Sequence, residues 1–197
     1  MPGQRVCLFG GTFDPVHIAH LKMAERAAAK FNLDCVIFIP AGNPPHKDAV
    51  SPYADRLQML KLACAGNPKF QVSAMEQGSE RSYTVNTLER FRQRLAPGDE
   101  LFFLIGADAF DELQSWHRWR DVVELTEFIV VSRPGATYKI PPGARAKRLE
   151  DVQLPTASTV IRAKLAAGEP TPEVPASVCE FIAKRGLYSR VTTWRSS

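Results

Sequence analysis

The chain reads as an α/β protein with a doubly wound, mainly parallel sheet, and three observations predict it. Apolar runs of four to six residues recur along the sequence, and stretches with helical periodicity separate them. The runs are continuously apolar rather than alternating, as strands buried on both faces are. Strand following helix following strand is the order that builds a parallel sheet covered by helices, and right-handed crossovers make it doubly wound.

Five strands are predicted at 5–9, 35–40, 70–74, 100–105 and 128–132, each rich in Val, Ile, Leu or Phe. Helices are predicted at 17–31, 53–65, 85–95 and 119–125, with apolar residues at three- and four-residue steps such as Leu57, Leu60 and Ala63. The span 134–155 is Pro/Gly-rich and basic, so it reads as a loop, with one short strand near 148–152. Two helices follow, at 159–167 and 175–185, the second ended by Gly186. The sequence contains neither an internal repeat nor a low-complexity tract.

With 197 residues, 45% of them hydrophobic, the chain is long enough for one sizeable core, and a single domain over 1–197 is expected. No apolar stretch approaches a membrane span and the first nine residues lack the apolar core of a signal peptide, so a cytoplasmic protein is expected. Cys7, Cys35, Cys64 and Cys179 are far apart and lie in apolar surroundings, which predicts buried free thiols rather than a metal or disulfide framework. The formal charge of +4 suits either a nucleic-acid surface or anionic small substrates. Lys and Arg are dispersed, with one short cluster at Arg145, Lys147 and Arg148, so no polynucleotide groove is indicated.

The most informative stretch is G-G-T-F-D-P-V-H-I-A-H, residues 10–20, between the first strand and the first helix. Gly10 and Gly11 let backbone approach a ligand at the carboxyl end of a strand, where open α/β sheets bind ligands. A helix N-terminus adds unpaired N–H groups and a positive dipole end, which favour phosphate. His17 and His20 are three apart and share a helix face, which suits two donors to phosphate oxygens. The bland alternative makes one of them a capping or core histidine. A zinc site is disfavoured, because no acidic or thiol third ligand stands at a suitable spacing.

This segment resembles the bacterial nicotinate-nucleotide adenylyltransferases, within a nucleotidyltransferase superfamily related to class I aminoacyl-tRNA synthetases. The family pattern G-G-T-F-D-P-x-H-x-G-H is followed except that Ala19 stands where glycine is usual. The resemblance implies a Rossmann-like nucleotidyltransferase fold with C-terminal helices. It also implies ATP contacts from Gly10, Gly11, Thr12, Phe13, His17 and His20, the two histidines meeting phosphates.

Further matches run along the chain. P-A-G-N-P-P-H-K, residues 40–47, resembles the family loop after the second strand; alone it is a basic turn, and by resemblance Asn43, His46 and Lys47 receive the mononucleotide and its phosphate. Ser82-Tyr83-Thr84 resembles the segment whose backbone N–H groups bind the nicotinate carboxylate, although a hydroxyl at a helix start is ordinarily an N-cap. I-G-A-D-A-F-D-E-L-Q-S-W-H-R-W, residues 105–119, resembles the fourth-strand loop: Gly106 and Asp108 are assigned to the nucleotide, Trp116 to the pyridine ring, and Trp119 to plain core. T-A-S-T-V-I-R, residues 156–162, resembles I-S-[SA]-T-x-I-R, with Ala157 replacing the usual first serine. There Ser158, Thr159 and Arg162 are assigned to the β and γ phosphates, and Thr156 could compensate for the lost hydroxyl. The closing segment through Tyr188 is typical of the family and reads structurally as a packing helix.

The implied reaction is attack of a mononucleotide phosphate oxygen on the α-phosphorus of ATP, with pyrophosphate leaving and His17, His20, His46 and Arg162 as the catalytic set. The nucleophile is already an anion, so alignment and charge neutralisation suffice. Mg²⁺ bridging the phosphates is expected, held mainly by substrate oxygens and water, without a dedicated ligand set. ATP and nicotinate mononucleotide are the expected partners, and a homo-oligomer is compatible with the sequence. Two alternatives stay open: a pantetheine-phosphate adenylyltransferase, which shares the first loop but lacks S-Y-T and T-x-I-R, and a non-catalytic nucleotide-sensing or RNA-binding relative.

Overall fold

The computed structural model describes residues 3–43, 49–78, 81–150 and 157–189. Six strands form one sheet: β1 Arg5–Gly11, β2 Cys35–Pro40, β3 Phe70–Val72, β4 Glu100–Gly106, β5 Glu127–Val131 and β6 Ala146–Leu149. Their order is β3-β2-β1-β4-β5-β6, and every neighbouring pair is parallel. The chain reverses its direction of travel across the sheet between β1 and β4, which makes the carboxyl ends of these two strands the topological switch point.

The period-two geometry of the strands divides the core in two. Cys7, Phe9, Phe38, Phe102, Leu104 and Ile129 face one way. They meet α1 (Ile18–Lys30), α2 (Tyr53–Cys64), α6 (Ser158–Ala167) and α7 (Ala176–Arg185) through residues such as Ala24, Met59, Ile161 and Val178. Leu8, Ile37, Ile39, Phe103, Ile105 and Phe128 face the other way. They meet α3 (Thr84–Arg92), α4 (Ala107–Asp111) and α5 (Trp119–Leu125) through Leu88, Phe110 and Val122. Both faces are covered, which is why the strands read as unbroken apolar runs.

Four differences from the sequence expectations have local causes. β1 runs on through the two glycines, because Gly10 and Gly11 pair with Ile39 and Pro40 of β2. β3 stops at Val72, after which the Ser73 hydroxyl accepts the Met75 N–H at 3.3 Å and turns the chain. α3 begins at Thr84 and ends at Arg92, where the chain tightens into turns that lead to Asp99; that carboxylate accepts the Ala96 N–H at 2.8 Å. The last strand starts earlier than expected, at Ala146 rather than Arg148, and residues 151 and 152 lie outside the described residues. Two short elements were not anticipated, α4 and a 3₁₀ turn at Leu113–Ser115, both too short to show periodicity.

All four cysteines are free, Cys7 and Cys64 buried and Cys35 and Cys179 only half-buried. Burial pushes the Cys64 thiol up to about 12 and the Cys7 thiol higher still, so both pack as small hydrophobes. Among the described residues, no helix is long and apolar enough to cross a membrane.

Candidate active site

The loop that leaves β1 is fixed from four directions. Asp14 and Pro15 are joined by a cis peptide bond, and the Asp14 side chain is buried. Its carboxylate accepts the Val50 N–H at 2.6 Å, the Ser51 N–H at 3.1 Å and the Tyr188 hydroxyl at 2.5 Å. From α6, Arg162 donates to the Asp14 carbonyl at 2.7 Å and the Ser158 hydroxyl donates to the Pro15 carbonyl at 3.2 Å. From α2, the wholly buried guanidinium of Arg56 donates to the carbonyls of Thr12 at 2.8 Å, Ser51 at 3.2 Å and Gly42 at 3.5 Å. A fork of five N–H donors suits a point where several loop carbonyls converge. The loops after β1 and β2 are thereby held to one another by a single residue of α2.

His17 is the N-cap residue of α1, and its backbone N–H donates to Nδ1 of His20 at 3.3 Å. The two imidazoles stack with centroids 3.7 Å apart and planes inclined by 28°. Phe13 is buried in the core and meets His20 edge-on at 5.0 Å, so its ring supports the histidine from beneath. Burial lowers His17 to about 4, partly opposed by the charge of Glu173, and lowers His20 well below its ordinary value, with the His17 charge adding to the effect. Both rings are therefore neutral at pH 7 when no anion is present.

This depression has a consequence for stability. Between 6.5 and about 4 the unfolded chain binds the His17 proton and the folded chain does not. The contribution is complete above pH 6.5, declines as pH falls through that window, and is exhausted below about 4. Its size is on the order of 3 kcal/mol at about 1.4 kcal/mol per pH unit. Urea unfolding at pH 7.5 and pH 4.5 should show a smaller acid loss in His17→Asn than in the parent chain. Equal losses in the two proteins would show that His17 is not the group responsible.

A cleft of about 410 Å³ opens at the carboxyl ends of β1 and β4, with Gly10, Gly11, Thr12 and Gly106 on its strand side. Its opposite wall is the start of α3. Tyr83 is the N-cap and no side chain caps the first turn, so N–H groups there have no intrahelical acceptor. Ser82 is a clasp rather than a cap: its Oγ accepts the N–H groups of Gly42 at 2.9 Å and Asn43 at 3.1 Å, and its own N–H donates to the Asn43 carbonyl at 3.0 Å. Only glycine fits at 42, because a Cβ there would lie 1.9 Å from the Glu76 carbonyl. The Glu76 carboxylate in turn accepts the Thr87 hydroxyl at 2.6 Å. Trp116 meets Phe103 edge-on at 6.3 Å, and His117 lies over Tyr83 with centroids 4.4 Å apart, giving the cleft an aromatic rim. Arg118 links this rim to α3 through Glu89 at 2.7 Å.

The structure thus brings Gly10, Gly11, Thr12, Gly106, Tyr83, Thr84 and Trp116 together on one cleft. His17, His20, Ser158, Thr159 and Arg162 gather around the β1 loop beside it; Arg162 also donates to the Thr159 hydroxyl at 3.5 Å. Asn43 and Asp108 are exposed and do not line the cleft. His46, Lys47 and Thr156 lie outside the described residues. Trp119 is half-buried against the α3–α5 side of the core and carries the Arg120 guanidinium 4.7 Å from its ring centroid.

Arg56, Tyr188, Glu76 and His117 shape the site although the sequence assigns none of them a role there. A charged residue inside the apolar repeat of α2 was a legible sign for Arg56. His117 stood beside a tryptophan already assigned to the site, whereas the long-range partner of Tyr188 left no local mark.

Open parallel sheets bind ligands at their switch point, where this cleft and the start of α1 lie, and the sequence model of the cytidylyltransferase-like family matches residues 8–174, which places the chain among the nucleotidyltransferases. The chain is 47% identical to a Solibacter usitatus protein named "Probable nicotinate-nucleotide adenylyltransferase", over 94% of this chain and 100% of that one. It is 41% identical to a protein of the same name from Exiguobacterium sibiricum, over 94% and 100%. The chain belongs to the nicotinate-nucleotide adenylyltransferase family. Its fold is also that of the Plasmodium falciparum nicotinic acid mononucleotide adenylyltransferase solved with NaAD, with a TM-score of 0.79 at 18% identity, over 94% of this chain and 97% of that one.

Proposed function

We propose that the chain transfers the adenylyl group of ATP to the phosphate of nicotinate mononucleotide, giving nicotinate adenine dinucleotide and pyrophosphate. The observation that carries this reading is the adjacency of two unlike sites. A polar cluster of His17, His20, Ser158, Thr159 and Arg162 around the β1 loop adjoins an aromatic cleft bounded by Tyr83, Thr84 and Trp116. Gly10, Gly11 and Thr12 form the passage between them, bare of large side chains where the two substrates would meet.

A mononucleotide phosphate oxygen forms the new bond to the α-phosphorus, and the bond to the pyrophosphate oxygen breaks with its electron pair leaving on pyrophosphate. Positioning and charge neutralisation are what the protein contributes. His17, His20 and Arg162 are assigned to the triphosphate, and His46 and Lys47 to the mononucleotide phosphate. The uncapped N–H groups at the start of α3 receive the nicotinate carboxylate, with the ring against Trp116. Among the described residues, no group of three or more His, Cys, Asp or Glu converges as a metal site. Mg²⁺ is read as entering on the nucleotide, held by substrate oxygens and water, where it would supply charge neutralisation between phosphates. We read residues 1–197 as one domain acting in the cytoplasm on small molecules, without a nucleic-acid partner, and compatible with a homo-oligomer.

The test is pyrophosphate release with ATP and Mg²⁺, run with nicotinate mononucleotide, nicotinamide mononucleotide or 4′-phosphopantetheine. Nicotinate mononucleotide should be preferred over the amide in kcat/KM by at least about tenfold, since a hydrogen bond to a charged group is worth about 1.5–3 kcal/mol. Preference for 4′-phosphopantetheine, or silence with all three from protein that still binds ATP, would overturn the reading.

A further inference from the structure

Two polar atoms beside the triphosphate cluster are shut off from solvent and have no hydrogen-bond partner among the described residues: Nδ1 of His17 and Oε2 of Glu173. They belong to segments that are stitched together, because the Ile18 N–H donates to the Glu173 carbonyl at 2.8 Å. The other carboxylate oxygen, Oε1, is held by Lys164 of α6 at 2.5 Å, which anchors the Glu173 side chain next to the start of α1. Each of the two orphaned atoms costs free energy while unpaired, and one hydrogen bond between them would satisfy both.

We propose that Glu173 is a positioning residue for His17: its free carboxylate oxygen accepts the Nδ1 proton, selects that tautomer, and leaves Nε2 as the nitrogen that meets the triphosphate. This rests on the assignment of His17 to the triphosphate. A neutral ring in this tautomer presents a lone pair on Nε2, so it becomes a donor to phosphate only by taking a second proton. The carboxylate supplies the countercharge for that step.

The neighbouring histidine is set the other way. Nδ1 of His20 accepts the His17 N–H, so neutral His20 carries its proton on Nε2 and donates without becoming charged. With ring centroids 3.7 Å apart, the stack disfavours two imidazolium ions, and the charge goes to the ring that has a carboxylate beside it. The charged and titratable groups around His17 are then His20 on α1, Glu173 between α6 and α7, and Lys164 and Arg162 on α6. Lys164 is paired to Glu173, and Arg162 is turned to the Asp14 carbonyl. The mutual electrostatic attraction of His17 and Glu173 agrees with this arrangement.

The test is ¹⁵N NMR of the His17 ring in the nucleotide-free protein from about pH 2.5 to pH 8, for the parent chain, Glu173→Gln and Glu173→Leu. The parent neutral ring should be protonated on Nδ1. Glu173→Gln should keep that tautomer and lower the His17 pKa by about one pH unit, the effect of losing a nearby opposite charge. Glu173→Leu should shift the neutral ring toward Nε2–H. Both variants should lose about tenfold in kcat, the equivalent of one pH unit, with little change in KM for the mononucleotide. A parent ring protonated on Nε2, or a His17 titration unchanged in both variants, would overturn the proposal. The spectra require no substrate, so a parent chain that is inactive with every mononucleotide would remove the triphosphate assignment separately, leaving the His17–Glu173 pairing to be judged by the tautomer.

Discussion

Replacing His17 by Ala should lower turnover by at least about a hundredfold, the range seen when a donor that stabilises transition-state charge is removed. The loss should fall on kcat rather than on KM for the mononucleotide, because His17 belongs to the cluster around the β1 loop and not to the aromatic cleft. The fold should persist. His17 joins α1 to the loop through backbone groups, its N–H to His20 and its carbonyl accepting the His20 N–H at 2.9 Å. Steady-state kinetics beside a circular dichroism spectrum decide the matter: near-normal turnover from folded His17→Ala would remove the catalytic role.

Arg56→Met should produce the largest loss of stability. The guanidinium is buried and donates to three carbonyls on separate stretches of chain, those of Thr12, Gly42 and Ser51. Methionine fills much of the volume but leaves those acceptors unpaired, and the charge that faces buried Asp14 is gone. Breaking a buried charged network by removing one partner costs about 3–5 kcal/mol. That is a large share of the roughly 5–15 kcal/mol that holds a domain together. Urea unfolding should show the midpoint falling by that margin, and a loss below about 1 kcal/mol would mean that water replaces the guanidinium. Turnover per folded molecule should drop as well, because the same carbonyls fix the loops on either side of the passage between the two subsites.

The strands, most helices and the first loop were legible because their signals are local. Five apolar runs identify strands buried on both faces, and the Gly-Gly turn before His17 and His20 marks the candidate site loop, since each depends on neighbours within a few positions. Ser82 shows where such reading fails. A serine before a helix is ordinarily a cap, yet here its hydroxyl accepts N–H groups of Gly42 and Asn43, a contact about which neither segment carries any sign.

The sequence by itself determined the class of fold, the position of the candidate site loop at the end of β1, and the family to which the chain belongs. All of these follow from short-range patterns of burial, backbone freedom and charge. Only the tertiary structure decided that Arg56 of α2, Arg162 of α6 and Tyr188 in the turn after α7 lock the Asp14 loop, and that Glu173 comes to rest beside His17. These contacts join residues up to 174 positions apart. Their strength lies in burial and hydrogen-bond geometry created when the two sides of the sheet are covered, and that geometry exists only in the folded chain.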